Sequence, residues 1–447
     1  MNKELNEKKI IAFHTLGCKV NQYETEAMKE QFKSKGFDIA PEDSFADVYI
    51  INTCTVTNMA DRKSRQFIRR ALRMNPKALI AVRGCYAQTD PEEVASIEGV
   101  NLVIGNNEKH DIPRYIAEKL NLEEREACKH ESAEISAAAF DEMTEYHSSG
   151  VIHAMDSRTR AYIKIEEGCD RFCSYCIIPY ARGRVRSRSH DEIVEEVREL
   201  INAGFVEIVL TGINTALYGK DTEGESLETL LAAIEEIPGD FRVRLSSLEP
   251  TVVDVEDAER LLKFSKLCHH LHLSVQSGSD KILRSMNRKY TRADYLEIVE
   301  TLRRFDPLYG ISTDIIVGFP GEDDADFEDS LSITDASEYV RVHAFKYSPR
   351  RGTKAAAMEC RVDGNIKNDR AKLLAKRADD VSLSFRTKCI GSETGVLFEE
   401  KTGKSIMAGY ADNYVRVYAD FDEECIGRLV KVKLAGIYKD GMKGELL

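Results

Sequence analysis

Residues 166–188 read EEGCDRFCSYCIIPYARGRVRSR and contain the most tightly spaced cysteines of the chain. Cys169, Cys173 and Cys176 form a C-x3-C-x2-C run between Gly168 and Pro179. A structural zinc site usually takes four ligands, often from two C-x2-C pairs, and the sequence has no second pair. Three thiolates are better suited to a four-iron cluster that keeps one iron open for chemistry. An incomplete zinc site, or three loop cysteines without any metal, are the alternatives.

The segment just before this run predicts the first of six buried strands, and helical patterns lie between them. The six predicted strands are AYIKI (161–165), VEIVL (206–210), RVRLSS (242–247), LHLSV (271–275), STDIIV (312–317) and VRVHAF (340–345). Six β/α units with parallel strands favour an open (β/α)6 barrel, whose functional residues belong at the carboxyl ends of the strands. The cysteine run follows the first strand, at that edge.

Residues 1–112 also alternate predicted strands and helices, which indicates an N-terminal doubly wound α/β domain. Cys18, Cys54 and Cys85 each follow an apolar run in this part of the chain. Such runs are typical of buried parallel strands, and ligand sites of open α/β sheets lie at the carboxyl edge. We therefore expect three thiols along one edge of one sheet. Three unrelated core cysteines are the alternative.

The composition restricts the kind of protein. The chain has 447 residues, 11 cysteines and a formal net charge of −13. We find no apolar run long enough for a membrane span and no apolar core near the first residues, so we expect a cytoplasmic protein without disulfides. The acidic balance argues against a nucleic-acid coat protein. Outside the two triplets we expect buried or incidental thiols, at Cys128, Cys268, Cys360, Cys389 and Cys425.

Two further segments complete the predicted organisation. Residues 113–157 include an acidic stretch rich in Ala and Ser, with little periodicity, which we interpret as a linker. The β/α barrel then covers residues 158–384. From residue 385 to 447, short apolar runs recur about every ten residues between turn residues, which predicts a small all-β barrel.

Four arginines alternate directly after the cysteine run. In an extended segment Arg182, Arg184, Arg186 and Arg188 would point to one face. Guanidinium groups suit phosphates, and basic runs also occur at 61–73 and 343–354. We interpret the arginine ladder as a candidate RNA contact; a solvated face is the alternative.

Several stretches together resemble one family over nearly the whole chain. GCDRFCSYCIIPYARG at 168–183 resembles the cluster loop of radical S-adenosylmethionine (SAM) enzymes, in the form found in methylthiotransferases. The first part resembles the N-terminal methylthiotransferase domain, and the tail resembles the TRAM domain, a small RNA-binding barrel. Further similar stretches are TGINTALYG (211–219), RLSSLEP (244–250), HLSVQSGSDKILRSMNRKYT (272–291) and TDIIVGFPGE (313–322).

The resemblance implies two [4Fe-4S] clusters and SAM as cofactors. Cys169, Cys173 and Cys176 would hold the cluster that cleaves SAM, and Cys18, Cys54 and Cys85 would hold a second cluster that carries the sulfur group. HTLGCKVNQYETEAM at 14–28 is similar to the branch that methylthiolates C2 of N6-threonylcarbamoyladenosine at position 37 of tRNA. The resemblance further implies tRNA, an external electron donor and a sulfur source as partners.

Other functions stay open at this point. Related branches act on isopentenyladenosine in tRNA or on an aspartate of a ribosomal protein. A non-catalytic RNA-binding protein stabilised by a metal is an alternative from another class, and it predicts zinc instead of iron.

Further cofactor contacts are expected where strands end. The candidates for contact with SAM are Asn214, Ser247, Gln276 and Arg288. Asn214, Ser247 and Gln276 follow the second, third and fourth predicted strands of the barrel. Arg288 could meet a carboxylate. A turn cap or a supporting hydrogen bond is the alternative for each of them.

Overall fold

A computed structural model describes residues 9–55, 58–123, 133–148, 150–153, 159–250 and 253–447. The chain divides into two compact units. Within the described ranges, the first unit comprises Met1–Ile152, Glu166–Phe172 and Cys176–Arg188, and the second comprises His153–Ile165, Cys173–Tyr175 and Ser189–Leu447. None of the helices in these ranges combines the length and apolar character that a bilayer span requires.

The first unit contains one parallel sheet of six strands. Its elements are β1 (Ile10–Thr15), α1 (Lys19–Ser34), β2 (Asp38–Ala40), β3 (Val48–Thr53), α2 (Asn58–Met74), β4 (Leu79–Gly84), α3 (Cys85–Thr89), α4 (Pro91–Ala95), β5 (Leu102–Ile104), α5 (Ile112–Glu123) and β6 (Glu134–Ser136). The strand order is β2-β1-β3-β4-β5-β6. Strands β3 and β4 are buried along their whole length, because helices cover both faces of a doubly wound sheet. From β1 the chain adds β2 on one side and then β3 on the other, so the strand order reverses between β1 and β3. Doubly wound folds bind their ligands at such a point.

Part of the range predicted as a linker belongs to this sheet. Residues 113–123 continue helix α5, and β6 pairs with β5 in parallel through Ile135 and Val103. A strand of three residues is too short to show a period in the sequence, which is why it was not predicted. Cys128 lies outside the described residues.

Short elements follow at the cysteine run, and the second unit continues from there. The elements from Ala161 onward are β7 (Ala161–Lys164), β8 (Glu166–Glu167), α6 (Ile178–Arg182), β9 (Arg186–Ser187), α7 (His190–Asn202), β10 (Glu207–Thr211), α8 (Leu227–Glu235), β11 (Arg242–Leu245), β12 (Ser247–Leu248), α9 (Val255–Leu261), β13 (His270–Leu273), α10 (Asp280–Ser285), α11 (Arg292–Phe305), β14 (Gly310–Val317), α12 (Asp324–Ser337), β15 (Arg341–Lys346) and α13 (Gly364–Lys388).

The predicted open barrel of six parallel strands is confirmed. Strands β7, β10 and β11 pair in that order, and β12, β13, β14 and β15 form the continuation. The count is six because β11 and β12 are two parts of the predicted third strand, interrupted at Ser246. The two parts are joined where the Val243 N–H donates to the Lys266 carbonyl at 2.7 Å and the Cys268 N–H donates to the Val243 carbonyl at 2.8 Å. No pairing closes β15 onto β7 within the described residues.

One face of this sheet is polar, which the sequence analysis did not predict. In β13, Leu271 and Leu273 are fully buried, whereas His270 and His272 alternate with them and hydrogen-bond to Ser312 of β14. Alternation along parallel strands was visible in HLHLS and RVRLS, but the runs were interpreted as uniformly buried. The interior face of the open barrel therefore offers hydrogen-bonding groups instead of an apolar filling.

The C-terminal domain is a closed barrel of five strands, as predicted. It consists of β16 (Glu393–Thr402), β17 (Ile406–Ala411), β18 (Arg416–Asp420), β19 (Leu429–Tyr438) and β20 (Gly441–Leu446), around a core that includes Phe398, Met407 and Val417. The expected boundary at residue 385 falls inside α13. Helix α13 runs into the small barrel, since Phe385 and Cys389 pack in its core.

The small barrel lies at the amino ends of the six parallel strands. Arg242, which begins β11, donates to the carbonyls of Gly395 and Tyr410 at 2.9 Å each. Arg244 donates to the Asp412 carbonyl at 3.0 Å, and Glu207 accepts from both arginines. The carboxyl ends of the same strands, where the cysteine run begins, are therefore at the opposite edge from the small barrel.

Candidate functional site

Three cysteines of the first unit lie at the carboxyl ends of three neighbouring strands. Cys18 follows β1 and caps α1, Cys54 comes directly after β3, and Cys85 follows β4 as the first residue of α3. Because β1, β3 and β4 are adjacent and parallel, their carboxyl ends share one edge. Cys18 is exposed, yet desolvation by the surrounding protein raises the pKa of its thiol. The positive charge of Arg182 opposes this rise.

Two glycines allow these loops to approach one another. A Cβ on Gly17 would lie 2.8 Å from the Cβ of Cys54, and its φ is +109°. A Cβ on Gly84 would lie 2.5 Å from the Thr53 carbonyl oxygen, and its φ is +97°. Only glycine fits both the backbone conformation and the space. These positions bring the loops that carry the three thiols into contact.

Buried charges pack beside this triplet. Glu24 of α1 accepts from the guanidinium of Arg182 at 2.9 Å and from that of Arg83 at 2.9 Å. Lys109 forms an ion pair with Glu167, and Arg186 pairs with the same carboxylate at 3.1 Å. Four buried cationic side chains thus surround two buried carboxylates within the first unit.

This arrangement suits an anionic cluster at the triplet. Arg182 interacts electrostatically with both Cys85 and Cys18. The Nε atoms of Arg83 and Arg182 are buried and have no hydrogen-bond partner among the described residues. A buried donor without a partner is costly, and iron–sulfur clusters accept hydrogen bonds at their sulfurs. Three thiols, two such donors and surplus positive charge therefore fit an iron–sulfur cluster.

The loop of the second triplet is fixed by a close backbone contact at its start. A Cβ on Gly168 would lie 1.8 Å from the Arg184 carbonyl oxygen, and Gly168 has a φ of +83°. The Cys169 N–H donates to the Gly183 carbonyl at 3.1 Å. Cys169, Cys173 and Cys176 are all partly exposed. The three cysteines are therefore not sealed in a core.

The middle of this loop belongs to the second unit and is held by a polar chain of contacts. The Ser174 N–H donates to the Met286 carbonyl at 3.0 Å. Arg288 donates to the Tyr175 hydroxyl at 2.8 Å and pairs with Glu249 at 2.6 Å. Burial lowers the pKa of Arg288, but Tyr175 and its other neighbours, Cys173 and Glu249 among them, outweigh that effect and hold the pKa above its ordinary value.

Two of the four residues predicted to contact SAM meet at one carboxylate. Glu249 accepts from Asn214 at 3.1 Å and pairs with Arg288. The buried Nε of Arg288 has no hydrogen-bond partner among the described residues, so it can still donate to a carboxylate. The other two make contacts of their own: the Ser247 carbonyl accepts from the Thr215 hydroxyl at 3.1 Å, and Gln276, with a φ of 66°, donates its N–H to the Asp314 carbonyl.

Glu249 was not among the residues predicted from the sequence to contact SAM. It lies in the quoted stretch RLSSLEP, directly after the third barrel strand and before Pro250. A carboxylate at a strand end was the available signal.

The arginine ladder has a different structure from the one expected. The segment is not extended throughout, since α6 ends at Arg182 and Gly183 has a φ of 76°. Arg182, Arg186 and Arg188 are buried, and Arg188 donates to the Tyr23 hydroxyl at 3.0 Å. Arg184 alone of the four is exposed, with 67% of its side chain accessible. A contact with RNA through Arg184 stays a prediction.

Of the four remaining cysteines that the structure describes, two are buried and two reach solvent. Cys268 and Cys389 are buried, and burial raises the pKa of the Cys389 thiol to about 11. Cys360 is exposed and Cys425 is partly exposed. A high thiol pKa keeps Cys389 protonated and unreactive at neutral pH.

Two family models match this chain. Residues 163–333 match the Radical SAM superfamily, and residues 10–105 match the Uncharacterized protein family UPF0004. The first match covers the barrel strands β7 to β14 with the C-x3-C-x2-C run. The second covers the sheet strands β1 to β5 with Cys18, Cys54 and Cys85.

Relatives extend the similarity to the full length. A threonylcarbamoyladenosine tRNA methylthiotransferase MtaB of Bacillus subtilis is 40% identical over 429 residues, which are 95% of this chain and 93% of the relative. The chain belongs to the radical SAM tRNA methylthiotransferase family. A tRNA-2-methylthio-N(6)-dimethylallyladenosine synthase of Carboxydothermus hydrogenoformans is 35% identical over 429 residues, 94% of this chain and 95% of the relative.

A solved structure shares the fold of this family member. The radical SAM methyltransferase TsrM from Kitasatospora setae, with cobalamin and a [4Fe-4S] cluster bound, has a TM-score of 0.57 at 14% identity. The similarity covers 90% of this chain and 81% of TsrM. The radical SAM domain of the chain implies a [4Fe-4S] cluster and SAM, which fits the partly exposed thiols of the C-x3-C-x2-C run.

Proposed function

We propose that this enzyme methylthiolates C2 of N6-threonylcarbamoyladenosine at position 37 of tRNA. The observation that carries the proposal is the full-length similarity to a threonylcarbamoyladenosine tRNA methylthiotransferase, combined with two cysteine triplets at the carboxyl ends of parallel strands. The higher identity to that relative, 40% against 35%, favours the threonylcarbamoyl group over the dimethylallyl group. Both relatives are named as tRNA-modifying enzymes, which favours tRNA over a ribosomal protein as the substrate.

Each triplet would hold one four-iron cluster with an open iron. Cys169, Cys173 and Cys176 would ligate the cluster that binds SAM, and the three thiols of the first unit would ligate a second cluster. When bound, these groups supply an electron for cleavage of the SAM sulfonium, hydrogen abstraction from the adenine, and the sulfur to be inserted. A second SAM is expected to provide the methyl group.

The protein residues orient and balance these groups. Arg182 and Arg83 would donate towards the sulfurs of the second cluster, and their charge would stabilise its anionic state. Arg288 would meet the carboxylate of SAM through its buried Nε, while its guanidinium pairs with Glu249. Glu249 accepts from Asn214 and would also accept from the amino group of SAM.

The partners follow from the same chemistry. The reaction needs an external electron donor and a sulfur source. Because the proposed substrate is tRNA, we expect the enzyme to act in the cytoplasm. Arg184 is a candidate for contact with the tRNA backbone, because its side chain is exposed beside the cluster loop. The small C-terminal barrel is a second candidate, on the strength of its resemblance to an RNA-binding domain.

The test is nucleoside mass spectrometry of tRNA from a host whose own threonylcarbamoyladenosine methylthiotransferase gene is deleted. The wild-type chain should restore 2-methylthio-N6-threonylcarbamoyladenosine, and neither Cys54→Ala nor Cys173→Ala should do so. Cys360→Ala, an exposed cysteine outside both triplets, is the matched control and should restore it fully. Restoration of 2-methylthio-dimethylallyladenosine alone would assign the chain to the other branch. Unmodified tRNA with soluble wild-type protein would contradict the proposal.

A further inference from the structure

Side chains that can ligate a metal meet on the polar face of the open barrel of the second unit, outside both cysteine triplets. His272 of β13, Asp314 of β14 and His343 of β15 each offer one ligand atom, and these atoms all lie within 4.8 Å of one another. All three side chains are partly buried. They come from three consecutive strands of the second unit.

The sheet holds these residues in a fixed register. Strand β14 pairs in parallel with both β13 and β15. Asp314 lies opposite His343, and His272 lies opposite Ser312. Ligands in the middle of paired strands have little backbone freedom, so the three side chains stay close together without a bound ligand.

A hydrogen bond from the neighbouring strand β14 orients one of the imidazoles. The Nδ1 of His272 lies 3.0 Å from the Ser312 hydroxyl, which in turn lies 2.9 Å from the Nε2 of His270. Ser312 is buried, so this contact fixes the plane of the His272 ring. The other nitrogen, Nε2, then faces the Asp314 carboxylate at 3.3 Å. Metal-ligating histidines are typically held in this way through their second nitrogen.

The donor set and spacing match a transition metal. In a tetrahedral site with bonds of about 2.0–2.2 Å to imidazole and carboxylate, the donor atoms lie roughly 3.3–3.6 Å apart. The donor atoms of this cluster, which lie within 4.8 Å of one another, reach that spacing through side-chain rotations that move them by about 1 Å. Two imidazoles with one carboxylate leave coordination positions open, as in sites that bind Zn²⁺ or Fe²⁺ together with an oxygen ligand.

We propose that His272, Asp314 and His343 bind a divalent transition metal, separate from the iron–sulfur clusters. The alternative is that no metal binds and the His272 Nε2–H donates a hydrogen bond to Asp314. The two interpretations make different predictions for His343: a metal site needs it as a third ligand, whereas a hydrogen bond between His272 and Asp314 does not.

The test uses the full chain with its clusters loaded, so that the cysteines are occupied by iron. The protein is incubated with Zn²⁺, passed through a desalting column and analysed for zinc and iron. We expect about one zinc per chain to be retained, with zinc X-ray absorption showing nitrogen and oxygen at about 2.0–2.2 Å and no sulfur at about 2.3 Å. His343→Ala and Asp314→Asn should lower retention at least tenfold. His153→Ala, at a surface histidine 3.7 Å from Glu199, should not.

Three results would overturn the proposal: no zinc retained by the wild-type chain, equal retention by His343→Ala and Asp314→Asn, or sulfur ligands around the zinc. Iron content and the thermal midpoint verify that each variant is folded. If His343→Ala fails to fold, His343→Gln is tested in its place. The zinc X-ray absorption data on the wild-type chain then identify the type of ligand without a variant. None of these readouts depends on the methylthiolation of tRNA, so the proposed function is tested separately.

Discussion

The two cysteine triplets reach the same kind of position by different routes. Cys169, Cys173 and Cys176 share one loop, and the spacing within that loop brings them together. Cys18, Cys54 and Cys85 are far apart in the sequence and meet only because β1, β3 and β4 are adjacent and parallel. The first triplet depends on local turns such as the one at Gly168, whereas the second depends on the integrity of a whole sheet.

The charges near the two triplets also differ. Beside the dispersed triplet of Cys18, Cys54 and Cys85, the carboxylate of Glu24 pairs with two buried arginines of the first unit. On the polar face of the second unit, Glu207 is shared by Arg242 and Arg244 at the amino ends of the strands, remote along those strands from the cluster loop. Substitution of Glu24 should therefore lower the occupancy of a cluster, whereas substitution of Glu207 should mainly lower the stability of the fold.

The largest expected effect separates the two triplets by function. Cys173→Ala should abolish both 5′-deoxyadenosine formation and methylthio transfer, because the cluster that binds SAM is lost. Cys54→Ala should keep 5′-deoxyadenosine formation and abolish methylthio transfer. Both products can be quantified by mass spectrometry with purified enzyme, tRNA and a chemical reductant. Methylthio transfer by Cys54→Ala at the wild-type rate would show that the two triplets do not have the separate roles proposed for them.

The next effect concerns the buried charges of the first unit. Glu24→Gln leaves Arg83 and Arg182 without their shared carboxylate, and losing one partner of a buried ion pair costs about 3–5 kcal/mol. Denaturant unfolding should show this loss, together with a lower iron content. Glu118→Gln, which removes an exposed partner of Arg114, should change stability by about 0.5 kcal/mol or less. Equal effects of the two substitutions would refute the role given to Glu24.

A smaller, pH-dependent effect is expected for the second unit. Burial raises the pKa of Glu207, but Arg244 and Arg242 outweigh it and hold the pKa well below its ordinary value. A lowered carboxyl pKa stabilises the fold above the unfolded pKa near about 4.3, and that contribution is lost as pH falls below it. The thermal midpoint of the wild-type chain should therefore fall more steeply between about pH 5 and pH 3 than that of Glu207→Gln. Parallel slopes would contradict this assignment.

The smallest effect is expected at the surface beside the cluster loop. Arg184→Ala should weaken tRNA binding and lower the slope of log affinity against log salt by about one, as for the loss of one phosphate contact. Arg198→Ala removes an exposed arginine of α7 that pairs with Glu195 and is the matched control. An unchanged salt slope for Arg184→Ala would exclude Arg184 from the RNA contact.

The sequence predicted the features that depend on local patterns. The alternation of strands and helices predicted for residues 1–112 is confirmed, because buried strands such as β3 show an apolar run, VYII, and helix α2 ends just before Asn75 and Pro76. The C-x3-C-x2-C run was visible from spacing alone. The dispersed triplet could be inferred because a strand end is recognisable and parallel strand ends meet at one edge.

Features that depend on contacts between distant residues were not predictable in this way. An alternating arginine run looks the same whether it is solvated or paired, so the burial of Arg182 against Glu24 could not be inferred. Strand β6 is too short to show a period. The position of the small barrel at the amino ends of the strands depends on side chains such as Arg242 that contact backbone carbonyls far along the chain.

Iron analysis with Mössbauer spectroscopy on anaerobically reconstituted protein tests the presence of two clusters most directly. We predict about eight irons per chain for the wild type, and about four for Cys54→Ala and for Cys173→Ala. The cluster that remains should keep the signature of a [4Fe-4S] centre in each variant. A wild-type chain with about four irons, or a Cys54→Ala variant with the same iron content as the wild type, would contradict the account of two separate cluster sites.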